Sequence, residues 1–284
     1  MTSVQLDELV ERVEALPKLS DTTLRLIRVA NDPESTLEEI VETVRYDQTV
    51  TTELLRLCNS AYFGLVRTIT SLDEAVRYIG TAKLIQLVMA AHTRALLAPE
   101  QAGYGLIPGA LWSHSVGVAL GCQFVAGKTG IRKKGLLFTL GLLHDIGKIV
   151  LNEYVGTEYP QIARCVADEG LSFLEAEQRV LGVTHPEVGE RVARRWDLPD
   201  PIPCCIRYHH EPWALPTPDP LVDAVHLADG ACLLMGIGGG DDSSLYRVDE
   251  GVLARTGLSA EVVEEIGATV VAELKSVQRL FEVR

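Results

Sequence analysis

Apolar residues recur at intervals of three and four along most of the chain, and the strict alternation of a half-buried strand between hairpin turns is absent. Near the C-terminus Val262, Val263, Ile266, Val270, Leu274 and Val277 keep helical spacing, with Ser259 placed to cap the helix they predict. Ser35 to Glu38, Ser71 to Glu74 and Ser172 to Glu175 each fit the S-x-x-E capping box, in which the serine oxygen accepts the N3 amide and the carboxylate reaches back. These signals predict an all-α protein.

Breaks in the pattern divide the chain into three zones. Residues 1–99 read as an N-terminal helical lobe whose one histidine is His92, and residues 108–235 as a second helical zone holding the other six histidines. Pro99–Pro108, rich in proline and glycine, reads as the loop between them. Gly236–Asp242 (GIGGGDD) reads as a flexible connector to a C-terminal helical segment, 243–284.

Composition narrows the class of protein. With 26 basic against 39 acidic residues the net charge is −13, which repels a polyphosphate backbone and opposes nucleic-acid binding. The short run Arg132–Lys133–Lys134 reads as a solvated loop. Six scattered cysteines without a C-x-x-C pair argue against a disulfide framework or a structural zinc site, and Cys204–Cys205 read as core thiols. Met1–Leu9 carries no secretory pattern, and apolar stretches such as Leu136–Leu143 fall short of the roughly 20 residues that cross a bilayer. A cytoplasmic location away from membranes is the expectation.

The candidate chemistry lies in the second zone. His144 and Asp145 in LLHDIGK combine a neutral nitrogen donor with an anionic oxygen donor, a pairing suited to Zn, Mn, Fe or Ni. Lys148, four residues beyond His144, is placed to reach a phosphate, or else is a surface cation closing a helix. Gly147 permits close approach of a backbone or substrate. His114, His185, His209, His210 and Asp229 also interrupt or border apolar helical segments, where a lone polar group costs free energy unless it finds a partner. A shared metal would be that partner. Isolated histidines more often bond a backbone carbonyl, which is the expectation for His92 and His226.

The order His, then His-Asp, then a late Asp resembles the HD superfamily of metal-dependent phosphohydrolases. His114, His144, Asp145 and Asp229 match its four ligand positions. His185 and His209–His210 resemble the additions of the HD-GYP branch, in which the counterpart of Asp145 bridges two metals. However, PWALP follows Glu211 where that branch has DGxGYP, so cleavage of cyclic-di-GMP is not implied. The N-terminal zone, with Leu16-Pro17, Asn59-Ser60-Ala61, Ser71-Leu72, Ala75 and Ile79-Gly80, resembles the HDOD (HD-related output) domain over about residues 13–235.

That resemblance implies an HD-like helical core behind an N-terminal lobe, with one or two divalent ions held by His114, His144, Asp145 and Asp229 and by Asp145, His185, His209 and His210. It also implies a regulatory output module that works through a signalling protein partner. The alternative is a phosphohydrolase acting on a nucleotide or other phosphate ester, in which Asp145 orients the nucleophile and Lys148 adds positive charge. Asn59, Ser60 and Tyr62 are read as capping helices and fixing the packing of the lobe, with a polar ligand patch as the alternative.

Overall fold

Helical periodicity without strand alternation leaves the chain to bury its apolar stripes between helices, and the computed structural model has fourteen α-helices and no strand among the described residues. It describes residues 19–282 except Pro33, Tyr46, Val66, Gly239 and 241–246. Met1–Leu9, Leu16–Pro17 and the Gly239, Asp241 and Asp242 of the glycine-rich segment lie outside the described residues.

The N-terminal lobe is built from α1 (Asp21–Asn31), α2 (Leu37–Arg45), α3 (Gln48–Cys58), α4 (Leu72–Ile79) and α5 (Thr81–Leu97). Capping follows the sequence with three differences, one being that the last described helix begins at Val262, so Ser259 stands before its cap and gives only its backbone carbonyl to the Val262 amide at 3.0 Å. Ser172 forms the full box with Glu175. Ser71 accepts from the Glu74 amide, but the Glu74 carboxylate turns to the Thr70 amide at 2.9 Å instead. The box expected at Ser35 lies one residue later: Thr36 Oγ1 accepts the Glu39 amide at 3.2 Å, and the Glu39 carboxylate accepts the Thr36 amide at 2.8 Å. The reason is that α2 begins at Leu37, which puts Thr36 and not Ser35 at the cap. Asn59 fixes the turn after α3 through both ends of its amide, donating to the Leu55 and Ile69 carbonyls and accepting from the Ile69 amide.

The rest of the chain wraps α6 (Ala110–Thr129), which is apolar around its whole circumference and buried along most of its length. It packs against α7 (Lys134–Leu143), α12 (Pro220–Leu234) and α14 (Val262–Glu282). Between these run α8 (Gly147–Glu169), α9 (Phe173–Leu181), α10 (His185–Arg195), α11 (Pro201–Tyr208) and the short α13 (Glu250–Thr256). Helix α7 also touches α1 and α5, so lobe and core share one hydrophobic cluster. Helix α14 is tied back to the lobe: Arg94 donates to the Phe281 carbonyl at 2.8 Å, and the Trp112 and Phe281 rings meet edge to face. The six cysteines are unpaired, and five of them are buried.

Lys134–Asn152 is long and apolar enough to cross a membrane, but 83% of it is buried inside the fold, as a core helix would be. Leu136–Leu143 is thus part of a longer apolar run than its own length indicates, and the run contains His144, Asp145 and Lys148.

The break between α7 and α8 falls on His144–Ile146, so the His-Asp pair sits at the junction of two helices. Gly147 makes that junction possible. A Cβ there would lie 1.9 Å from the His185 carbonyl oxygen and 2.7 Å from the Gly189 amide nitrogen, so the backbones of α8 and α10 touch directly. Gly147→Ala is therefore expected to destabilise the protein by at least about 1–3 kcal/mol through overpacking. Urea titration checks this, with a lower midpoint at an unchanged m-value as the expected outcome.

Candidate metal centre

Seven side chains from five elements converge in the interior. His114 comes from α6, His144 and Asp145 from the α7–α8 junction, and His185 from the first position of α10. His209 and His210 follow the end of α11, and Asp229 lies on α12. His114, His144, Asp145, His185, His209 and Asp229 are at most 2% exposed, and His210 is 13% exposed by its side chain. All seven residues predicted as ligands are therefore brought together.

They fall into two groups whose donor atoms lie within 4.8 Å of one another: His114, His144 and Asp229, and Asp145, His185, His209 and His210. Asp145 stands between the groups. Its Oδ2 faces the Nε2 atoms of His144 and His114 at 3.3 and 3.6 Å, and its Oδ1 faces those of His185 and His209 at 3.4 and 3.7 Å. Asp229 spans them as well, with Oδ1 at 3.1 Å from His114 Nε2 and Oδ2 at 3.5 Å from His210 Nδ1.

The imidazoles are held from behind. His114 Nδ1 pairs with the Ile237 carbonyl at 3.0 Å, His144 Nδ1 with that of Gly141 at 2.7 Å, and His209 Nδ1 with that of Ile206 at 2.8 Å. His185 Nδ1 meets the Glu177 carboxylate at 2.9 Å. A carbonyl only accepts, so each ring it holds carries a proton on Nδ1 and turns Nε2, the nitrogen left for a metal, inward. This outer bonding is how histidines are oriented at metal sites.

The inner atoms have the opposite character. His144 Nε2, Asp145 Oδ1, His209 Nε2 and Asp229 Oδ2 are buried without a hydrogen-bond partner. Leaving such a group unsatisfied costs roughly 1–3 kcal/mol, and four share one small volume. Charge is unbalanced too: Asp145 is paired with the Lys148 ammonium, whereas Asp229 meets histidines and Glu177 meets His185 and the Tyr104 hydroxyl, which leaves two negative charges in excess when the imidazoles are neutral. A divalent cation would satisfy both the lone pairs and the charge, so the residues present fit such an ion.

A model of the HDOD domain matches residues 16–212. The chain belongs to the HDOD family. It is similar to an HDOD domain protein of unknown function from Geobacter sulfurreducens, with 29% identity, a TM-score of 0.75 and coverage of 97% of this chain and 98% of that one. It shares its fold with a candidate phosphohydrolase from Shewanella amazonensis SB2B (24% identity, TM-score 0.69, 96% of this chain and 97% of that one). The same holds for a candidate signal transduction protein from Marinobacter aquaeolei VT8 (21%, 0.75, 97% of this chain and 64% of that one). An uncharacterized protein of Treponema pallidum is 26% identical over 226 residues, 78% of this chain and 43% of that protein, so the HDOD chain spans less than half of this relative.

Several expectations change at this centre. Lys148 is not a surface cation; it is 2% exposed and its Nζ lies 2.6 Å from Asp145 Oδ2. The glycine-rich connector is packed where it is described: Ile237 is buried, its carbonyl holds His114, and a Cβ on Gly238 would fall 2.8 Å from that of His114. His226 bonds a backbone carbonyl as expected, and the carbonyl is that of His209 at 2.8 Å. Its Nε2 accepts the Asp249 amide at 3.0 Å. His92 does not follow the expectation, since its Nδ1 pairs with the hydroxyls of Thr23 at 2.8 Å and Ser20 at 3.2 Å. These hydroxyls lie at the start of α1, which packs on α5 and so brings them to the His92 ring.

Sequence reasoning missed Glu177, Tyr104 and the Thr184–Glu187 capping box that places His185 at a helix start. The box was readable as T-x-x-E ahead of His185. Glu177 had no such signal, because a glutamate inside an amphipathic helix reads as solvated.

Without metal, the histidines take up the charge imbalance unequally. Burial opposes protonation of His144, but Asp145 and Asp229 outweigh it and raise its pKa to about 10. Burial likewise opposes protonation of His185, and Glu177 with Asp145 raises it to about 9. Burial pushes His209 down to about 4 and, helped by the neighbouring His209, holds His210 well below the usual range. The raised pair stabilises the fold fully below the unfolded histidine pKa of about 6.5, and this contribution is lost as pH rises through about 9 and 10. The depressed pair acts the other way, costing stability as pH falls below about 6.5 because only the unfolded chain then binds those protons. Thermal melts of chelator-treated protein should therefore peak near pH 6.5, fall on both sides, and flatten on the alkaline side once a divalent ion is added.

Proposed function

We propose that this HDOD protein is a divalent-metal-binding regulatory module that acts on a protein partner, with the metal held by His114, His144, Asp145, His185, His209, His210 and Asp229. The observation that carries the reading is the set of orphaned inward-facing atoms: imidazoles fixed by Nδ1, with unpartnered Nε2 and carboxylate oxygens aimed at one another. The two donor groups support two ions, with Asp145 shared between them.

Near-complete burial favours regulation over turnover. A substrate must reach the inner atoms from water, and of the seven donors His210 alone is more than a few per cent exposed. The ion then acts as a conditional part of the core, present or absent with the supply of metal, and its presence is carried to the surface through the helices it joins.

The second reading, a metal-dependent phosphohydrolase, rests on Lys148. Its ammonium is held at Asp145, where it would meet the oxygens of a bound phosphate ester. Bound ions would supply a water of lowered pKa near neutrality. Asp145 would orient that water, and burial would keep bulk solvent out.

Elemental analysis of protein purified without a metal-affinity tag and supplemented with Mn, Fe, Ni or Zn should find one to two ions per chain. Saturating metal at about 100-fold over its Kd should stabilise the fold by about 2.7 kcal/mol, several degrees in Tm. Asp145→Asn should lower the stoichiometry. Fewer than about half an ion per chain sinks the metal reading. Metal-loaded protein is expected to leave a panel of nucleotides and simple phosphate esters intact. Turnover that disappears in Asp145→Asn would transfer the assignment to the hydrolase.

A further inference from the structure

We infer that Glu177 is a positioning residue for the second donor group, and that Tyr104 completes it by holding the opposite carboxylate oxygen; this rests on the metal-binding reading above. Glu177 lies on α9, is fully buried and is not among the donors. Its Oε2 accepts two bonds from one residue, the His185 backbone amide at 3.0 Å and Nδ1 at 2.9 Å. Its Oε1 accepts the Tyr104 hydroxyl at 2.6 Å.

This differs from what holds His114, His144 and His209. Their Nδ1 atoms meet neutral backbone carbonyls, whereas that of His185 meets an anion. A carboxylate behind an imidazole fixes the tautomer more firmly and makes the opposite nitrogen a stronger donor. That nitrogen, His185 Nε2, faces Asp145 Oδ1 at 3.4 Å and His210 Nε2 at 3.1 Å. The Asp145, His185, His209 and His210 group is thereby set apart from the other group by one buried charge.

Tyr104 is placed to hold that charge still. Its ring is buried, stands edge-on to the His185 ring and packs against Phe173. The segment that carries it is anchored on α8, where Gly103 donates to Asn152 Oδ1 at 2.8 Å and has no room for a Cβ. The stretch between Pro99 and Pro108 is thus part of the support of the centre as well as a connection between zones.

Glu177→Gln keeps the volume and an accepting oxygen while removing the charge. A packing role alone predicts wild-type metal binding for it, and positioning predicts a loss. Cobalt titration of chelator-treated full-length protein, followed by equilibrium dialysis, should show affinity for at least one ion reduced about 10–100-fold in Glu177→Gln. Tyr104→Phe should show a smaller loss in the same direction, with both metal-free variants matching wild type in circular dichroism. In cobalt-loaded wild type the exchangeable His185 Nδ1 proton should give a shifted NMR resonance, weakened by exchange in Glu177→Gln. If Glu177→Gln does not fold, Tyr104→Phe, which lacks only a hydroxyl, is read by the same criteria. Wild-type affinities in the folded variants would overturn this inference and leave the metal reading standing. No cobalt uptake by the wild type would overturn both.

Discussion

The centre depends on hydrogen bonds made on the far side of the imidazoles. His114, His144 and His209 each give Nδ1–H to a carbonyl, and His185 gives its own to Glu177, so that four Nε2 atoms meet in the interior. Removing those outer acceptors would let the rings rotate or change tautomer and pair among themselves. With them His144 Nε2, His209 Nε2, Asp145 Oδ1 and Asp229 Oδ2 stay unpaired, and much of the remaining architecture serves to keep the acceptors in place. The Gly141 carbonyl is fixed by the helix that ends at the His-Asp pair, and the Ile237 carbonyl by the tight path of the chain after α12.

The arrangement is a conflict between packing and electrostatics that the metal-free fold does not resolve on its own terms. The hydrophobic cluster surrounding the site is continuous from the lobe to the last helix and supplies the stability against which unsatisfied donors can be held. Such sites are where a fold departs from its own rules. The departure here is confined to a few atoms around Asp145 and Asp229.

Much of this was legible in the sequence because helices announce their apolar stripes and donors are chemically distinctive. The seven histidine and aspartate positions could be named since each breaks an apolar run, and the order they follow is that of a known superfamily. Glu177 and Tyr104 could not, since nothing local marks a glutamate that is buried by long-range packing or a tyrosine whose hydroxyl finds it 73 residues away. The burial of Lys148 was equally hidden, because spacing gives direction along a helix but not what covers it. The glycine-rich stretch after α12 misled for a related reason. Glycine frees a chain from local constraint, and it also lets backbone fit where no side chain could, which is its use at Gly238.

The wrapping of α6 bears on the order in which the molecule can assemble. Two of the helices that cover it, α12 and α14, come well after it in the chain, and α14 is the final helix described. A growing chain must therefore carry α6 and the apolar run Lys134–Asn152 into solution before their cover exists. Local contacts let the N-terminal lobe begin alone, but Asp229 and the Ile237 carbonyl reach His114 only after more than a hundred further residues. The centre is thus completed only after α12 and the turn beyond it are made, and the nascent chain has an interval in which its most apolar segment is bare and most in need of a chaperone.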